Sequence, residues 1–264
     1  MNLAWMTDIH LNFLDATGIA TFCERIAATG AEGVILSGDI SEAHELATHL
    51  ELLAAHLARP VYFVIGNHDA YRGSIAGTKA TATRVAASSR WLRYLPVSGV
   101  IPIDADTCLL GVDGWADTRL GDWEGSSVVL NDYLMIDELR GHTKAQLATV
   151  LQAISDAETA LARVLVRDAL DRFKRVVFVT HVPPFAGAAW HEGKVSDASW
   201  LPHFSSRSMG EMLLEEIDAR SDRELLVLCG HTHGAGVYRP RSNVEVRTGG
   251  AEYGAPEVQL PLLT

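Results

Sequence analysis

A chain of 264 residues is near the upper end for one hydrophobic core, and 48% hydrophobic with 21% charged residues describes a globular domain that can hold a rigid site. The formal net charge of -11, with a pI near 5.4, disfavours a dedicated binder of long nucleic acid, because an acidic surface repels polyanions. Three sparse cysteines, Cys23, Cys108 and Cys229, do not make a disulfide framework or a Cys-rich zinc site.

From the N-terminus, residues 3–7 read as a strand, not as a signal peptide. A helix over 17–29, a strand over 33–36, a helix over 42–57 and a strand over 61–65 follow, a βαβ alternation that predicts a buried sheet. Residues 72–93 read as helical, 107–112 as a strand, and 113–132 as a Gly-, Asp- and Ser-rich loop. Apolar residues at helical spacing, from Leu147 and Val150 through Leu161, Val164 and Leu165, predict one long helix over 143–173. Thr143 and Gln146 form its capping box. At 1.5 Å per residue it would run roughly 45 Å; a helix packed on the core is the expectation, with a projecting part, a partner contact or a break near Ser155-Asp156 as the alternatives. A strand over 176–180, an irregular loop over 183–206, a helix over 209–219 and a strand over 225–229 come next. The glycine-rich tail reads as antiparallel strands. No apolar run nears the roughly 20 residues of a membrane span, no linker divides residues 1–264, and a single domain in a reducing cytoplasm is the expectation. Nothing in the composition specifies an oligomeric state.

Each strand ends in a polar cluster, where ligands bind in open α/β sheets. The clusters are Asp8-Ile9-His10, Gly38-Asp39, Gly66-Asn67-His68-Asp69, His181 and Gly230-His231-Thr232-His233. Singly, most of these are ordinary turns or buried histidines. Together they gather carboxylate, imidazole and amide donors in Asp8, His10, Asp39, Asn67, His181, His231 and His233, a mixed N/O set that suits Mn, Fe or Zn and not calcium. Asp8 and His10 lie two apart at a strand end and point to one side, as do His231 and His233. Gly38, Gly66 and Gly230 stand before proposed ligands, where the backbone must turn or approach closely.

This motif set, spanning residues 8–233 with no ligand position missing, resembles the calcineurin-like metallophosphoesterase superfamily. The resemblance implies an α/β fold, a four-layer α-β-β-α sandwich, with the long helix as an insertion. It implies two divalent metal ions sharing Asp39, one held by Asp8, His10 and His233, the other by Asn67, His181 and His231. His68 matches the catalytic histidine and Asp69 the acid that orients it. The implied activity is hydrolysis of a phosphomonoester or phosphodiester by in-line attack of a metal-bridging hydroxide. A nuclease, or a non-catalytic scaffold of the retromer-subunit type, are the alternatives; the scaffold branch has lost ligand or catalytic positions that are all present here. Trp115, Trp123, Trp190 and Trp200 fall in loop-like segments, as nucleobase platforms or as pins for a lid. Arg72 is a candidate phosphate contact, and His191 and His203 carry no spacing support.

Overall fold

The computed structural model describes the backbone of residues 1–263 and the side chains of residues 1–259. The first half runs β1 (Leu3–Met6), α1 (Ala16–Ala28), β2 (Gly33–Ser37), α2 (Leu46–Leu57), β3 (Val61–Val64), α3 (Ile75–Ser88) and β4 (Leu92–Tyr94). A short helix α4 (Leu95–Ser98) leads to β5 (Ile101–Pro102) and β6 (Thr107–Gly111). Then come α5 (Asp132–Met135), the long α6 (Lys144–Arg172) and β7 (Arg175–Val179). The hairpin β8 (Trp190–His191) and β9 (Lys194–Val195), α7 (Leu201–Phe204) and α8 (Arg207–Asp218) follow. The chain closes with β10 (Glu224–Cys229), β11 (Gly236–Arg241), β12 (Val244–Thr248) and β13 (Gln259–Leu263).

The strands form two large sheets, ordered β13-β1-β2-β3-β4 and β11-β12-β10-β7-β6-β5. In the first, β1 to β4 are parallel and β13 is antiparallel; in the second, β12, β10, β7 and β6 are parallel between antiparallel edges. A strand alternates its side chains between faces. Val34 and Leu36 therefore meet Phe22, Ile26, Leu50 and Leu53 of the covering helices, while Ile35 faces the other sheet. Trp5, Ile35, Tyr62 and Val64 pack there against Leu109, Val179 and Leu228. On the far side, Leu110, Phe178 and Val227 take Ala162, Val166 and Leu170 of α6 and Met209 and Leu213 of α8. The result is the four-layer α-β-β-α sandwich, with strands buried on both faces and correspondingly apolar throughout.

Several elements differ from their sequence reading. Helix α3 stops at Ser88, and Leu92–Tyr94 pairs in parallel with β3, so a tertiary ladder overrides the helical propensity expected to carry through to 93. The expected start of α2 at 42 moves to Leu46, because residues 42–45 turn and Glu42 instead pairs with Arg72. In the tail, β11 is antiparallel as expected, but β12 runs parallel to β10. Helix α6 is one unbroken element of 29 residues with its capping box formed. Its second half is part of an outer layer. Its buried face also differs from the predicted stripe: Leu161 and Val164 are exposed, while Leu147, Leu151, Ser155, Glu158, Ala162 and Val166 are buried. In the polar middle of that face Ser155 bonds Ser206 and Ser208, and one oxygen of Glu158 bonds Lys79.

The first half of α6 roofs a third apolar cluster. Tyr71, Ile75, Trp115, Trp123, Tyr133, Ile136, Leu147 and Leu151 meet there, so the segment after β6 is packed although it is largely without regular structure. All three cysteines are free and buried, Cys23 on α1 in the apolar cluster of the first sheet, Cys108 and Cys229 on β6 and β10 beneath the helices of the second. Burial pushes their thiols up to about 11, 12 and 12. No helix among the described residues is long and apolar enough to cross a membrane.

Candidate metal centre

The turns leaving the parallel strands converge at one edge of the sandwich. Asp8 N–H donates to the Gly38 carbonyl (3.1 Å) and His10 N–H to the Asp39 carbonyl (3.0 Å), so the turns after β1 and β2 run together. Across the interface His181 N–H bonds the Asp113 carbonyl (2.7 Å), and Gly230 N–H the His181 carbonyl (2.9 Å). Asp8, His10, Asp39, His231 and His233 all hold left-handed backbone, with φ of 49°, 40°, 51°, 71° and 57°. That conformation costs a non-glycine residue about 1–3 kcal/mol and marks a site whose surroundings enforce it. Gly38, at φ 95°, supplies the same turn without a Cβ. Gly66 serves close approach instead: a Cβ there would lie 2.6 Å from Asp39 N and 2.7 Å from His181 Nε2.

The two oxygens of Asp39 face different groups. Oδ1 is 3.3 Å from His181 Nε2, and Oδ2 is 3.8 Å from His10 Nε2. On the Oδ2 side, Asp8, His10, Asp39 and His233 each offer a ligand atom, and these atoms all lie within 4.8 Å of one another. His10 Nε2 and His233 Nε2 are 3.3 Å apart, and His233 Nε2 is 3.4 Å from Asp8 Oδ1. On the Oδ1 side, Asn67 Oδ1 is 2.9 Å from both His181 Nε2 and His231 Nδ1.

The outer hydrogen bonds decide where the protons sit. His181 Nδ1 faces the Ser37 carbonyl at 2.8 Å and His231 Nε2 the His203 carbonyl at 3.0 Å. A carbonyl only accepts, so each of these nitrogens carries the hydrogen and the opposite nitrogen of a neutral ring presents a lone pair. The Asn67 amide donates Nδ2–H to Asp132 Oδ1 (2.8 Å), which turns its own Oδ1 inward. With both rings neutral, lone pairs of two imidazoles, an amide and a carboxylate converge with no donor among them. Such a group repels itself unless a cation sits between its members, and neutral imidazole with carboxylate and carbonyl oxygen is a donor set for a first-row divalent ion.

Electrostatics agree. Burial alone would raise the Asp8 and Asp39 pKa values, but the surrounding imidazoles hold both below the usual carboxylate range, Asp39 well below it. Burial would lower the His181 pKa, yet Asp39, with Asp8 behind it, raises it to about 10, so the field that retains a proton there favours a cation in its place. Burial, reinforced by His68 and His233, holds His10 down at about 4 and keeps its ring neutral. Thr7 Oγ1 donates to Asp8 Oδ2 at 2.5 Å, and His231 N–H donates to the same carboxylate at 3.0 Å.

The sequence matches the calcineurin-like phosphoesterases over residues 1–235. The chain belongs to that family. Among solved structures it resembles the phosphopantetheinyl hydrolase of Mycobacterium tuberculosis, at a TM-score of 0.66 and 15% identity over 98% of this chain and 96% of that one. It also resembles a dimetal phosphatase from Danio rerio, at 0.59 and 14% over 95% and 87%. A search of curated protein sequences gave no match. At such identities the two structures speak for the fold alone.

Within this calcineurin-like frame, all seven proposed ligands stand together at the strand ends, and His68 stands beside them. His68 N–H donates to Asp39 Oδ1 (2.9 Å), and its ring lies 4.7 Å from that of His10. The expected role of Asp69 as the acid that orients His68 does not fit its contacts. The buried Asp69 carboxylate accepts from the backbone N–H groups of Ile40 (2.9 Å), Ser41 (2.7 Å) and Gly66 (2.8 Å), which makes it a brace between two ligand turns. The His68 ring is instead stacked on Tyr71, with centroids 4.1 Å apart at 25°.

A cleft of about 270 Å³ opens beside the centre, lined by Asn67, His68, Tyr71, Asp132, His191, Phe204, His231, His233 and Tyr253 among others. Tyr253 covers His10 and His233 at 4.6 and 4.9 Å. Of the four loop tryptophans, Trp115 and Trp123 are buried in the third apolar cluster, and Trp190 packs on Gly236, so none of these is a base platform. Trp200 is the exposed one and stacks on Phe204 at 5.1 Å. Arg72 lies outside the cleft, bonded to Glu42. His191 lines the cleft, and His203 is buried between Ser126 and Tyr133, presenting only its carbonyl to His231. Sequence reasoning missed Asp132, Tyr71 and Tyr253. Tyr253, next to Gly254 in the glycine-rich tail, carried a faint signal, while Asp132 and Tyr71 are placed only by tertiary packing.

Proposed function

We propose that the chain is a dinuclear-metal-dependent phosphoesterase that hydrolyses a phosphomonoester or phosphodiester. The observation that carries this is Asp39, whose two carboxylate oxygens face two separate donor groups. Asp8, His10, Asp39 and His233 would hold one divalent ion and Asp39, Asn67, His181 and His231 the other. When bound, the ions would offset the charge of the phosphate and acidify water for attack.

The protein's own groups do the rest. The Ser37 and His203 carbonyls fix the imidazole tautomers, and Thr7 and the His231 amide hold Asp8. His68 borders the cleft and could give a proton to the departing oxygen or support the phosphoryl oxygens, work typically worth about 10²–10⁴-fold. No lysine or arginine stands among the described lining residues, which supports a compact ester over a long polyanion.

The test is Mn²⁺ content and turnover of nitrophenyl phosphate, bis(nitrophenyl) phosphate, alkyl esters and a phosphopantetheinyl ester, with Asp39→Asn and Asp8→Asn beside the wild type. The expectation is two ions per wild-type chain, turnover of at least one ester class, and greater metal loss in Asp39→Asn than in Asp8→Asn. A wild-type chain that binds two ions and hydrolyses nothing would favour the scaffold reading.

A further inference from the structure

We infer that Asp132 is the positioning residue of this centre: its carboxylate sets the Asn67 amide and, through Tyr71, the ring of His68. The inference rests on the dinuclear reading above and extends it to residues outside the ligand set.

One oxygen of Asp132 accepts twice. Oδ1 takes Asn67 Nδ2–H at 2.8 Å and the Tyr71 hydroxyl at 2.6 Å. The Asn67 side chain has two nearly equivalent orientations about its last torsion. With Oδ1 inward it presents a lone pair beside His181 Nε2 and His231 Nδ1. Flipped, it would turn N–H toward those two ring nitrogens and withdraw a ligand oxygen from the site. Asp132 disfavours the flip. A flipped amide would aim its oxygen at a carboxylate and lose a charge-assisted hydrogen bond in a buried place. The acceptor oxygen at 132 thus keeps the amide ready for a cation before one arrives.

The second bond reaches His68. Tyr71 has its hydroxyl tied to Asp132 and its ring stacked on His68. His68 has no hydrogen bond from Asp69, whose oxygens are engaged by three backbone amides. Its orientation is therefore set by the Tyr71 face, and the Tyr71 face by Asp132. Asp132 can serve because its segment is anchored: neighbouring Tyr133 and Ile136 are buried in the third apolar cluster, and the Tyr133 hydroxyl bonds His203 Nδ1 at 2.5 Å. One buried carboxylate thereby governs two consecutive residues of the Gly66-Asn67-His68-Asp69 turn.

The test titrates metal-free protein with Mn²⁺ alone and separately measures kcat on alkyl and nitrophenyl esters. Asp132→Ala is expected to weaken one of two Mn²⁺ affinities about 10–100-fold, the usual effect of losing a group that orients a ligand, and to leave the other unchanged. Asp132→Asn keeps an oxygen acceptor for both donors and is expected to restore the lost affinity. In an Asn67→Ala background, Asp132→Ala should cost no further affinity, which a merely structural role would not produce. Tyr71→Phe should leave both Mn²⁺ affinities intact and lower kcat more for alkyl than for nitrophenyl esters. Wild-type Mn²⁺ binding by folded Asp132→Ala would overturn the Asn67 arm. If the alanine variant does not fold, the asparagine variant decides that arm: loss of one Mn²⁺ site there overturns it. Unchanged kcat on both esters in Tyr71→Phe overturns the His68 arm. Should the wild type hydrolyse no ester, the proposed function fails, while the Mn²⁺ titrations still decide the Asn67 arm.

Discussion

The two sides of the cleft are built differently. The ligand side consists of short turns at the ends of parallel strands, five of the ligands in left-handed backbone, tied to one another by backbone hydrogen bonds. The opposite wall comes from the segments after β6 and after β7, largely irregular and fastened by aromatic packing: Trp123 and Tyr133 beneath, Phe204 and Trp200 at the rim. One side has its geometry dictated by a rigid sheet. The other can change residues without disturbing the sheet, which is where loops on a scaffold place selectivity. Damage to the ligand side should therefore remove ions, and damage to the wall should spare them.

The largest effect should come from Gly66→Ala. Its new Cβ would press on Asp39 and His181 together, a clash of the kind that costs about 1–3 kcal/mol and here falls on the shared ligand. Metal analysis should find both ions lost and turnover at background; retention of either ion would mean the turn is softer than its contacts indicate. His68→Ala is next, with kcat down about 10²–10⁴-fold, ions retained, and a smaller loss on nitrophenyl than on alkyl esters. An equal loss on both ester types would assign His68 to charge stabilisation in place of leaving-group protonation.

On the wall, Trp190→Ala should lower stability by about 2–3 kcal/mol, somewhat under the usual cost for a fully buried tryptophan, because its ring packs on Gly236. Urea denaturation with the ions still bound would measure it. His203 gives a pH signature. Burial, with Lys144 and His231 nearby, holds its pKa down at about 4, against about 6.5 for a free histidine. Between those values the unfolded chain binds a proton that the folded chain refuses, so stability falls as pH is lowered through that window. His203→Gln should flatten this part of the stability profile, and an unchanged slope would assign the acid sensitivity elsewhere. Trp200→Ala should be mildest, under about 1 kcal/mol for an exposed ring in one stacked pair, while shifting kcat/KM ratios among esters through Phe204. Identical ratios would show that the rim takes no part in selection.

The same contrast governs what could be read from sequence. The ligand turns were legible because a strand end imposes local rules: an apolar run, then glycine, then donors at fixed spacing. The buried sheet was legible in the βαβ alternation, and the four-layer sandwich followed from the resemblance. Asp69 was misassigned because adjacency to His68 along the chain says nothing about direction, and its carboxylate turns back to the amides of Ile40, Ser41 and Gly66. Strand β4 was hidden inside a helical pattern because only pairing with β3 makes it a strand. Asp132 had no local signature, since its role depends on Tyr133 and Ile136 anchoring a segment that looks like coil.

The placement of the three thiols has a practical consequence. Cys23 lies on α1 in one outer layer, and Cys108 and Cys229 lie on β6 and β10 against the helices of the other, each sealed from solvent and each with its thiol pKa pushed up by burial. A thiolate-seeking label can reach them only through transient opening, so each sulfur acts as a clock for the layer that encloses it. Mass spectrometry of labelled peptides over time would show whether the two halves of the sandwich breathe independently, and whether adding Mn²⁺ at the shared edge slows both clocks together.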